Sequence, residues 1–295
     1  MGKVRKGPGA RRMIQLYSAL LYNAHLKGFA EGTIYTGPLK SLCVPGLNCY
    51  SCPGAVGACP LGSLQNAVAA SADRPAFYVV GVLLVFGLLL GRVICGFLCP
   101  FGLIQELLHK LPTKKLKKSP LTRRLSRLKY GILAIFVLAI PAWFALRRLP
   151  LPAFCKYICP AGTLEGAVLL LLHPANEALR ALTGGLFWWK LAVLLLVLTA
   201  CVFAWRAFCR FLCPLGALYG LLSRLALLGV RVENSRCTDC GACLRACPAD
   251  IRRVGDAECV HCGACIDVCL TKAISLRAGR IVLRGPELPE RREQP

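Results

Sequence analysis

Two runs of four cysteines near the end of the chain have the residue type and the spacing of iron–sulfur ligands. They read CTDCGACLRAC from Cys237 and CVHCGACIDVC from Cys259, so each follows the pattern C-x2-C-x2-C-x3-C. In this pattern three thiolates bind one cubane and the fourth binds the neighbouring cubane. We therefore predict two 4Fe-4S clusters. The predicted ligands are Cys237, Cys240, Cys243 and Cys269 for the first cluster and Cys259, Cys262, Cys265 and Cys247 for the second.

Glycines inside the two runs support this interpretation. Gly241 and Gly263 let the backbone turn tightly, so that amide N–H groups point at sulfur and stabilise its negative charge. Zinc is the alternative metal, but zinc sites rarely combine two tandem runs of this spacing. His261 lies inside the second run, where we expect it to face solvent.

A shorter element, C-P-x-G followed two residues later by Leu or Ile, recurs four times outside these runs. Its cysteines are Cys59, Cys99, Cys159 and Cys213, and three of them follow another cysteine by four residues, namely Cys95, Cys155 and Cys209. The proline predicts the first position of a new helix, which leaves the preceding thiol near a positive helix N-terminus. Arg92 and Arg206 stand three residues before Cys95 and Cys209. They are candidates to offset the charge of a cluster or to anchor the chain at the cytoplasmic membrane surface, and both roles can hold at once.

The composition of the chain indicates a membrane protein. Of its 295 residues, 56% are hydrophobic and 17% are charged, whereas about 25% are charged in an ordinary soluble domain. The formal net charge of +23 does not indicate nucleic-acid binding, because the basic residues cluster beside apolar stretches and are not interleaved with aromatics. No haem-attachment or dinucleotide-binding motif is present.

Three apolar stretches predict transmembrane helices, at residues 75–91, 130–146 and 187–205. A fourth, at residues 13–26, contains polar residues and is predicted either to span the membrane or to lie along its surface. The stretch 161–172 is too short to span, and we interpret it as a re-entrant half-helix or as an interfacial helix.

The orientation of these spans follows from the basic residues between them. Lys and Arg number five in residues 1–12 and ten in residues 92–129, but three in 27–75 and four in 147–186. The positive-inside rule then favours four spans with both termini in the cytoplasm. The basic N-terminus is interpreted as an uncleaved membrane start, because no small-residue cleavage site follows it.

This topology divides the remaining cysteines into two sets. The inner set, at the cytoplasmic edge, is Cys95, Cys99, Cys209 and Cys213. The outer set, on the opposite side, is drawn from Cys49, Cys52, Cys59, Cys155 and Cys159, with Cys43 nearby. We hypothesise one further cluster at each membrane face, which would extend an electron path across the bilayer. Two alternatives stay open: these cysteines are structural thiols at tight turns, or the outer ones pair as disulfides. Cys201, alone in an apolar stretch, is expected to be a core residue.

The predicted fold joins two parts. Residues 1–230 form an all-α membrane module with about four transmembrane helices and the re-entrant or interfacial half-helix. Residues 231–280 form a small α+β bacterial dicluster ferredoxin-like domain, and residues 281–295 form a polar tail.

The motifs resemble those of a known family. CGFLCP from Cys95, CRFLCP from Cys209 and the two ferredoxin runs are similar to those of polytopic membrane 4Fe-4S binding proteins. These include the ferredoxin-type quinol dehydrogenase of periplasmic nitrate reductase systems, the nitrous-oxide reductase regulator and a cytochrome-oxidase assembly protein. The resemblance implies electron transfer between a membrane or cytoplasmic donor and an acceptor on the other face of the membrane, often with the involvement of quinol. GLNCYSCPGAVGACP from Gly46 and CKYICP from Cys155 depart from that pattern and resemble bacterial 4Fe-4S binding proteins of poorly defined role.

We therefore expect an iron–sulfur electron-transfer protein in the bacterial cytoplasmic membrane, with its ferredoxin-like domain in the cytoplasm. It would relay electrons between a cytoplasmic or quinol donor and a redox partner protein, as a carrier more than as a catalyst. One alternative is a membrane quinol dehydrogenase that binds quinone from the membrane pool. The other is a redox-sensing or metal-assembly factor.

Overall fold

The computed structural model of the chain describes residues 9–69, 77–116 and 118–286, and these residues are mostly helical. Three parts of the predictions lie outside the described residues. They are the first eight residues of the basic N-terminus, residues 75 and 76 of the predicted span 75–91, and residues 287–295 of the predicted tail.

Many of the α-helices are short, and the longest coincides with an apolar stretch of the sequence. In chain order the helices are α1 Gly9–Tyr22, α2 Leu26–Glu31, α3 Pro60–Ala69, α4 Phe77–Leu89, α5 Val93–Phe97, α6 Pro100–Leu108, α7 Pro120–Leu125, α8 Leu128–Ile132, α9 Ile140–Leu146, α10 Ala153–Tyr157, α11 Leu169–Leu172, α12 Glu177–Ala181, α13 Gly185–Phe203, α14 Ala207–Phe211, α15 Pro214–Leu222, α16 Ala242–Ala246 and α17 Ala264–Asp267. Two π-helical segments, Leu133–Ala139 and Gly162–Val168, lead into α9 and α11. Short 3-10 turns cover Pro38–Ser41, Pro174–Asn176 and Asn234–Arg236.

Among the described residues, two helices are long and apolar enough to cross a membrane, by length and composition alone. One is the continuous helix Pro120–Leu146, which contains α7 to α9, and the other is α13. They coincide with the predicted spans 130–146 and 187–205. The predicted span 75–91 becomes α4, whose 13 residues rise about 20 Å and fall short of a hydrocarbon core of about 30 Å. The structure therefore supports two of the predicted spans by length and leaves the count of four as a prediction.

Helix α1 turns its polar side toward the protein. Arg11, Gln15 and Ser18 are buried, whereas Met13 and Leu20 are 64% and 59% exposed. An outward apolar face is typical of a helix that contacts lipid. Whether residues 13–26 span the membrane or lie along its surface stays a prediction.

The apolar stretch 161–172 forms a helix that is as short as the sequence predicts. The helix Gly162–Leu172 is apolar but shorter than the two candidate spans. It ends at Leu172, because His173 takes an extended conformation and Pro174 opens the next turn. Whether it is re-entrant or interfacial stays a prediction.

A three-stranded antiparallel sheet lies near the C-terminus, with strands β1 Leu228–Val232, β2 Ile274–Ala278 and β3 Ile281–Arg284 in the order β1-β2-β3. Val230 pairs with Leu276, and both side chains are buried. They share a core with Ile274, Cys265 and Val93, the last of which belongs to α5. The sheet thus contributes to the small α+β unit and also packs against the helical module.

Candidate metal centres

A cavity in the C-terminal unit gathers the thiols predicted for the first ferredoxin cluster. Its lining includes Cys237, Cys240, Cys243 and Cys269. Gly241 precedes α16 with φ of 68°, and Gly263 precedes α17 with φ of 81°. Both values are left-handed conformations that glycine adopts without strain. The tight turns predicted at these glycines are confirmed.

The thiols predicted for the second ferredoxin cluster also lie together, although they come from both runs. Cys247 packs with Cys259 in a small buried cluster. Burial raises the pKa of Cys265, and the neighbouring thiols of Cys259, Cys262 and Cys247 raise it further. Like charges affect one another in this way only at short range. The exchange of the fourth cysteine between runs is therefore compatible with the folded chain.

His261 is buried, so the prediction that it faces solvent is wrong. Its side chain is 2% exposed, and the backbone N–H of Val230 donates to Nδ1 at 2.9 Å. Its own backbone N–H donates to Cys259 Sγ at 3.4 Å. Strand β1 covers the ring from a point 31 residues upstream, and the local sequence gives no signal of that contact.

The inner set of cysteines converges on one cavity in the main core. Cys95, Cys99, Cys209 and Cys213 all line it, and all four are buried. Pro100 and Pro214 are the first residues of α6 and α15, as the C-P-x-G element predicts. The N–H of Gly216 in the first turn of α15 donates to Cys213 Sγ at 3.3 Å. The thiols line the cavity wall, and among residues 9–69, 77–116 and 118–286 no three His, Cys, Asp or Glu side chains are grouped to hold a single metal ion.

A buried ion-pair network lies beside the inner set. Arg206 is 1% exposed; its Nε donates to Glu106 at 2.9 Å, and Arg11 donates to the same carboxylate at 2.6 Å. Arg206 also donates to the backbone carbonyl of Cys95. Burial alone would raise the pKa of Glu106, but Arg206 and Arg11 together lower it below its ordinary value. With the carboxylate ionised, this network carries one excess positive charge.

A second network contains the other arginine. Arg92 is 1% exposed, and its Nη1 donates to the carbonyl of Ala257 at 2.7 Å and to Glu258 at 3.3 Å. Lys129 donates to the same carboxylate. Burial opposes the charge of Arg92, but the Cys95 thiol and Glu258 raise the pKa of its guanidinium. Because both arginines are buried near the thiols, the interpretation that they are membrane-surface anchors is wrong.

The outer set lines a larger cavity of about 490 Å³. The four thiols in its lining are Cys49, Cys59, Cys155 and Cys159, each of them a free cysteine. Cys52 does not line this cavity, and its backbone N–H donates to the carbonyl of Cys49 at 3.1 Å. Cys43 forms an isolated β-bridge with Ala58. The structure therefore brings four of the five predicted outer residues to one cavity.

The inner and outer cavities share an arrangement that the sequence analysis missed. Gln105 Nε2 donates to Cys209 Sγ at 3.0 Å, and its Oε1 accepts the N–H of the residue before Cys209 at 3.1 Å. Gln65 Nε2 donates to Cys155 Sγ at 3.1 Å, and its Oε1 accepts the N–H before Cys155 at 2.9 Å. Each glutamine stands six residues after the cysteine of its own C-P-x-G element. This fixed spacing of six residues is the feature of the sequence that could have predicted the role of the two glutamines.

In the third and fourth repeats, Glu165 and Tyr219 stand at this position, six residues after the cysteine. Glu165 accepts the N–H of Cys49 at 2.7 Å, and the hydroxyl of Tyr219 donates to the carbonyl of Pro45 at 3.0 Å. The first and third repeats thus build the outer cavity, and the second and fourth build the inner one. Each pair contains one repeat with a glutamine at this position and one repeat whose side chain at this position forms a hydrogen bond with the segment between residues 45 and 49.

Replacing either glutamine with leucine is expected to destabilise the fold. Gln65 and Gln105 are fully buried, and Gln65→Leu or Gln105→Leu leaves a backbone N–H and a thiol without their partner. We expect the free energy of unfolding to fall by about 1–3 kcal/mol, measured by circular dichroism in mixed detergent. Asn66→Leu, at the exposed neighbour of Gln65, is the control and should leave stability unchanged. An equal effect of all three variants would contradict this role of the glutamines.

The thiol cavities adjoin one another. Leu47 is 2% exposed and lines both the inner and the outer cavity. On the other side of the inner cavity, a Cβ atom added to Gly96 would lie 2.3 Å from the carbonyl oxygen of Val260, so the backbone next to Cys95 touches the second ferredoxin run. The inner and outer sets, predicted to lie at opposite membrane faces, therefore line adjoining cavities, and the side of the membrane that each one faces stays a prediction. The segment around Leu47 folds into the core and brings the two sets together.

Comparison with known families agrees with these observations. A 4Fe-4S binding domain family matches residues 75–119, 130–174 and 186–233, and a second 4Fe-4S binding domain family matches residues 230–253. Each of the first three segments contains an apolar helix followed by one C-x3-C-P element. No solved structure matches the chain.

Several curated proteins are similar to the chain. They include an uncharacterized protein of Methanocaldococcus jannaschii, with 30% identity over 58% of this chain and 64% of the relative. The methylamine utilization ferredoxin-type protein MauN of Paracoccus denitrificans has 30% identity over 58% and 54%. The ferredoxin-type protein NapH of Haemophilus influenzae has 27% identity over 57% and 51%. The chain spans about half to two thirds of the length of these relatives. These matches confirm the resemblance predicted from the motifs, and the chain carries 4Fe-4S binding domains of the ferredoxin type.

Proposed function

We propose that this chain is a membrane-bound electron-transfer protein that holds four 4Fe-4S clusters in a row. The observation that carries the proposal is the contact between neighbouring thiol sets: Leu47 lines both the outer and inner cavities, and Gly96 touches Val260 of the second ferredoxin run. Electron transfer weakens steeply with distance, so a continuous row of sites is the arrangement that a relay requires. The relatives' names, ferredoxin-type proteins of methylamine utilization among them, support the same class of function.

The residues of the chain suit anionic clusters at these sites. Cluster 1 would be held by Cys237, Cys240, Cys243 and Cys269, cluster 2 by Cys259, Cys262, Cys265 and Cys247, the inner cluster by Cys95, Cys99, Cys209 and Cys213, and the outer cluster by Cys49, Cys59, Cys155 and Cys159. When bound, such clusters supply one-electron oxidation and reduction. Gln65 and Gln105 hold thiols in place through N–H···S hydrogen bonds. Arg92 and Arg206 offset negative charge at the inner site, and the buried core excludes water from it.

The membrane placement of this relay follows the charge distribution. The two candidate spans and the outward apolar face of α1 lie in the bilayer, and the ferredoxin-like domain lies in the cytoplasm. Electrons then pass between a donor or acceptor protein at the cytoplasmic domain and a redox partner that reaches the outer cavity. The inner and outer sites lie close together in the core, so they form one continuous stretch of the electron path.

Iron analysis tests the proposal. Protein purified without oxygen should contain about sixteen irons and about sixteen acid-labile sulfides per chain if all four sites are loaded. Electron paramagnetic resonance of the reduced protein should show signals broadened by magnetic coupling between neighbouring clusters. A content of about eight irons, with the coupling of an isolated dicluster domain, would refute the row of four.

Quinol oxidation is a second candidate function. The outer cavity is favoured for it because, besides the four thiols, Lys40, Asn66 and Lys190 line its volume of about 490 Å³. That lining leaves room for a small acceptor or donor beside a cluster. If quinol is the donor, a soluble quinol added without oxygen should bleach the cluster absorbance, and unchanged absorbance would exclude this role.

A further inference from the structure

A basic cavity with no thiol in its lining lies where the helical module meets the sheet. Its volume is about 260 Å³, and Arg224, Arg231 and His261 line it. Because His261 Nδ1 accepts the N–H of Val230, the ring proton is on Nε2. That Nε2 is buried and has no hydrogen-bond partner among the described residues. The cavity thus presents one N–H donor and two guanidinium groups, which together suit an anionic group.

An adjoining cavity extends this positive region. It has a volume of about 390 Å³, shares Arg224, and adds Arg127, Arg252 and Arg253. Among the described residues, these four arginine side chains have no carboxylate partner. Of the three carboxylates in the lining, Asp250 pairs with Arg123 and Arg210, and Glu258 pairs with Arg92 and Lys129. Asp256 accepts the backbone N–H groups of Arg252 and Glu258, so the five arginines in the lining outnumber the three carboxylates. The excess positive charge therefore remains available to a ligand.

Exposed leucines border the basic cavity. Leu225 and Leu227, one and three residues after Arg224 in the chain, are 74% and 51% exposed. The N–H of Leu227 donates to the carbonyl of Leu88 at 2.8 Å, so this turn continues the outward apolar face at the end of α4. Leu84 and Leu88 of that helix are also exposed. An apolar wall beside a cationic pocket matches a ligand with an anionic head and an apolar tail.

We propose that this junction, formed by Arg224, Arg231, His261 and the adjoining leucines, binds the phosphate headgroup of an anionic phospholipid. The inference rests on the membrane location proposed above. The phosphate lies against the guanidinium groups and accepts the Nε2 hydrogen bond of His261, and the acyl chains lie along Leu225, Leu227 and α4. An acidic partner protein would bind the arginines but leave the leucines in water, so the lipid is the better match.

Lipid retention tests this site. The protein is placed in nanodiscs of phosphatidylcholine containing phosphatidylglycerol, and bound lipids are counted by native mass spectrometry after release. Arg224→Gln and Arg231→Gln should each reduce retained phosphatidylglycerol about fivefold. Arg224→Lys keeps the charge and should retain the lipid. Arg280→Gln removes an exposed arginine at the β2–β3 turn, away from the junction, and should behave as the parent.

Three outcomes would overturn the proposal. Equal phosphatidylglycerol retention by the parent and the two glutamine variants would exclude the site. Retention with no preference over phosphatidylcholine, together with binding of inorganic phosphate to the detergent-solubilised protein, would make it a site for free phosphate. Unchanged lipid retention with slower reduction by an acidic electron carrier would make it a protein-docking surface. The iron content, measured in the same samples, reports separately on the relay, because it can fall short of sixteen while the lipid preference persists.

Discussion

Protein in which Cys95, Cys99, Cys209 and Cys213 are all replaced by serine is expected to contain about four fewer irons per chain than the parent. The reason is that these four thiols line one buried cavity, and no other cysteine lines it to replace them. The ferredoxin runs contribute none of these residues, so about twelve irons should remain. The magnetic coupling attributed to the inner site should disappear from the spectrum of the reduced variant. Electron transfer from the cytoplasmic domain to an acceptor at the outer cavity should stop, because the middle of the row is missing.

Cys201→Ser provides the matched control for this variant. Cys201 is fully buried in the same core, and its Sγ donates to Gln105 Oε1 at 3.5 Å, but it does not line the inner cavity. The control should keep the full iron content and the coupled signals. Loss of iron in both proteins would point to general disruption of the core. An unchanged iron content in the quadruple variant would make the C-P-x-G cysteines structural thiols, which is the alternative left open by the sequence.

The sequence predicted the residues of these sites better than their surroundings, for a physical reason. Cluster ligation depends on short spacings, so the two ferredoxin runs and the C-P-x-G elements can be recognised locally. The helix starts at Pro60, Pro100 and Pro214 are confirmed for the same reason. The partners of the buried arginines cannot be read in this way, because Glu106 and Glu258 lie 100 and 166 residues from Arg206 and Arg92.

The hypothesis of one cluster site at each membrane face did not anticipate that the two sites adjoin, because it treated the segment between the first two apolar stretches as an external loop. Gly46 packs closely against the second C-P-x-G element, since a Cβ there would lie 3.2 Å from the carbonyl oxygen of Leu98 and 3.3 Å from Cys99 Cα. The segment therefore enters the core and carries Cys49 toward the inner thiols. Charge counting finds which loops are basic, but it does not report how far a neutral loop folds back into a bundle.

The inner and outer sites differ in charge although they share the C-P-x-G framework. Beside the inner site are two networks, one formed by Arg206, Glu106 and Arg11 and the other by Arg92, Glu258 and Lys129. Each contains two cations and one anion. At the outer site the Glu165 carboxylate accepts the N–H of Cys49, and Lys40 and Lys190 line the cavity. The formal excess there is one positive charge, against two for the two networks at the inner site. The excess positive charge at the inner site should stabilise the reduced, more negative form of a cluster, so we expect its reduction potential to be the higher of the two.

Arg206→Gln and Arg92→Gln are therefore each expected to lower the reduction potential of the inner cluster. For one positive charge, Coulomb's law at a separation of about 8–10 Å and an effective dielectric constant near 20 gives about 1.5–2 kcal/mol, which corresponds to roughly 60–90 mV for a one-electron couple. The potential is measured by redox titration followed by electron paramagnetic resonance. The outer potential should move much less in both variants, since the charge is farther from that site. Arg92 also contacts Ala257 and Glu258 beside Cys259, so Arg92→Gln is expected to lower the potential of cluster 2 as well.

Lysine variants separate the charge from the hydrogen bonds. Arg206→Lys keeps the cation beside Glu106 but cannot reproduce both the carboxylate and the Cys95 carbonyl contacts. If charge sets the potential, the lysine variants should stay close to the parent while the glutamine variants shift. Arg180→Gln, at an exposed arginine of α12, should shift none of the potentials. Equal shifts in the lysine and glutamine variants would assign the effect to lost hydrogen bonds. No shift in either variant would show that the buried arginines do not set the reduction potential of the inner cluster.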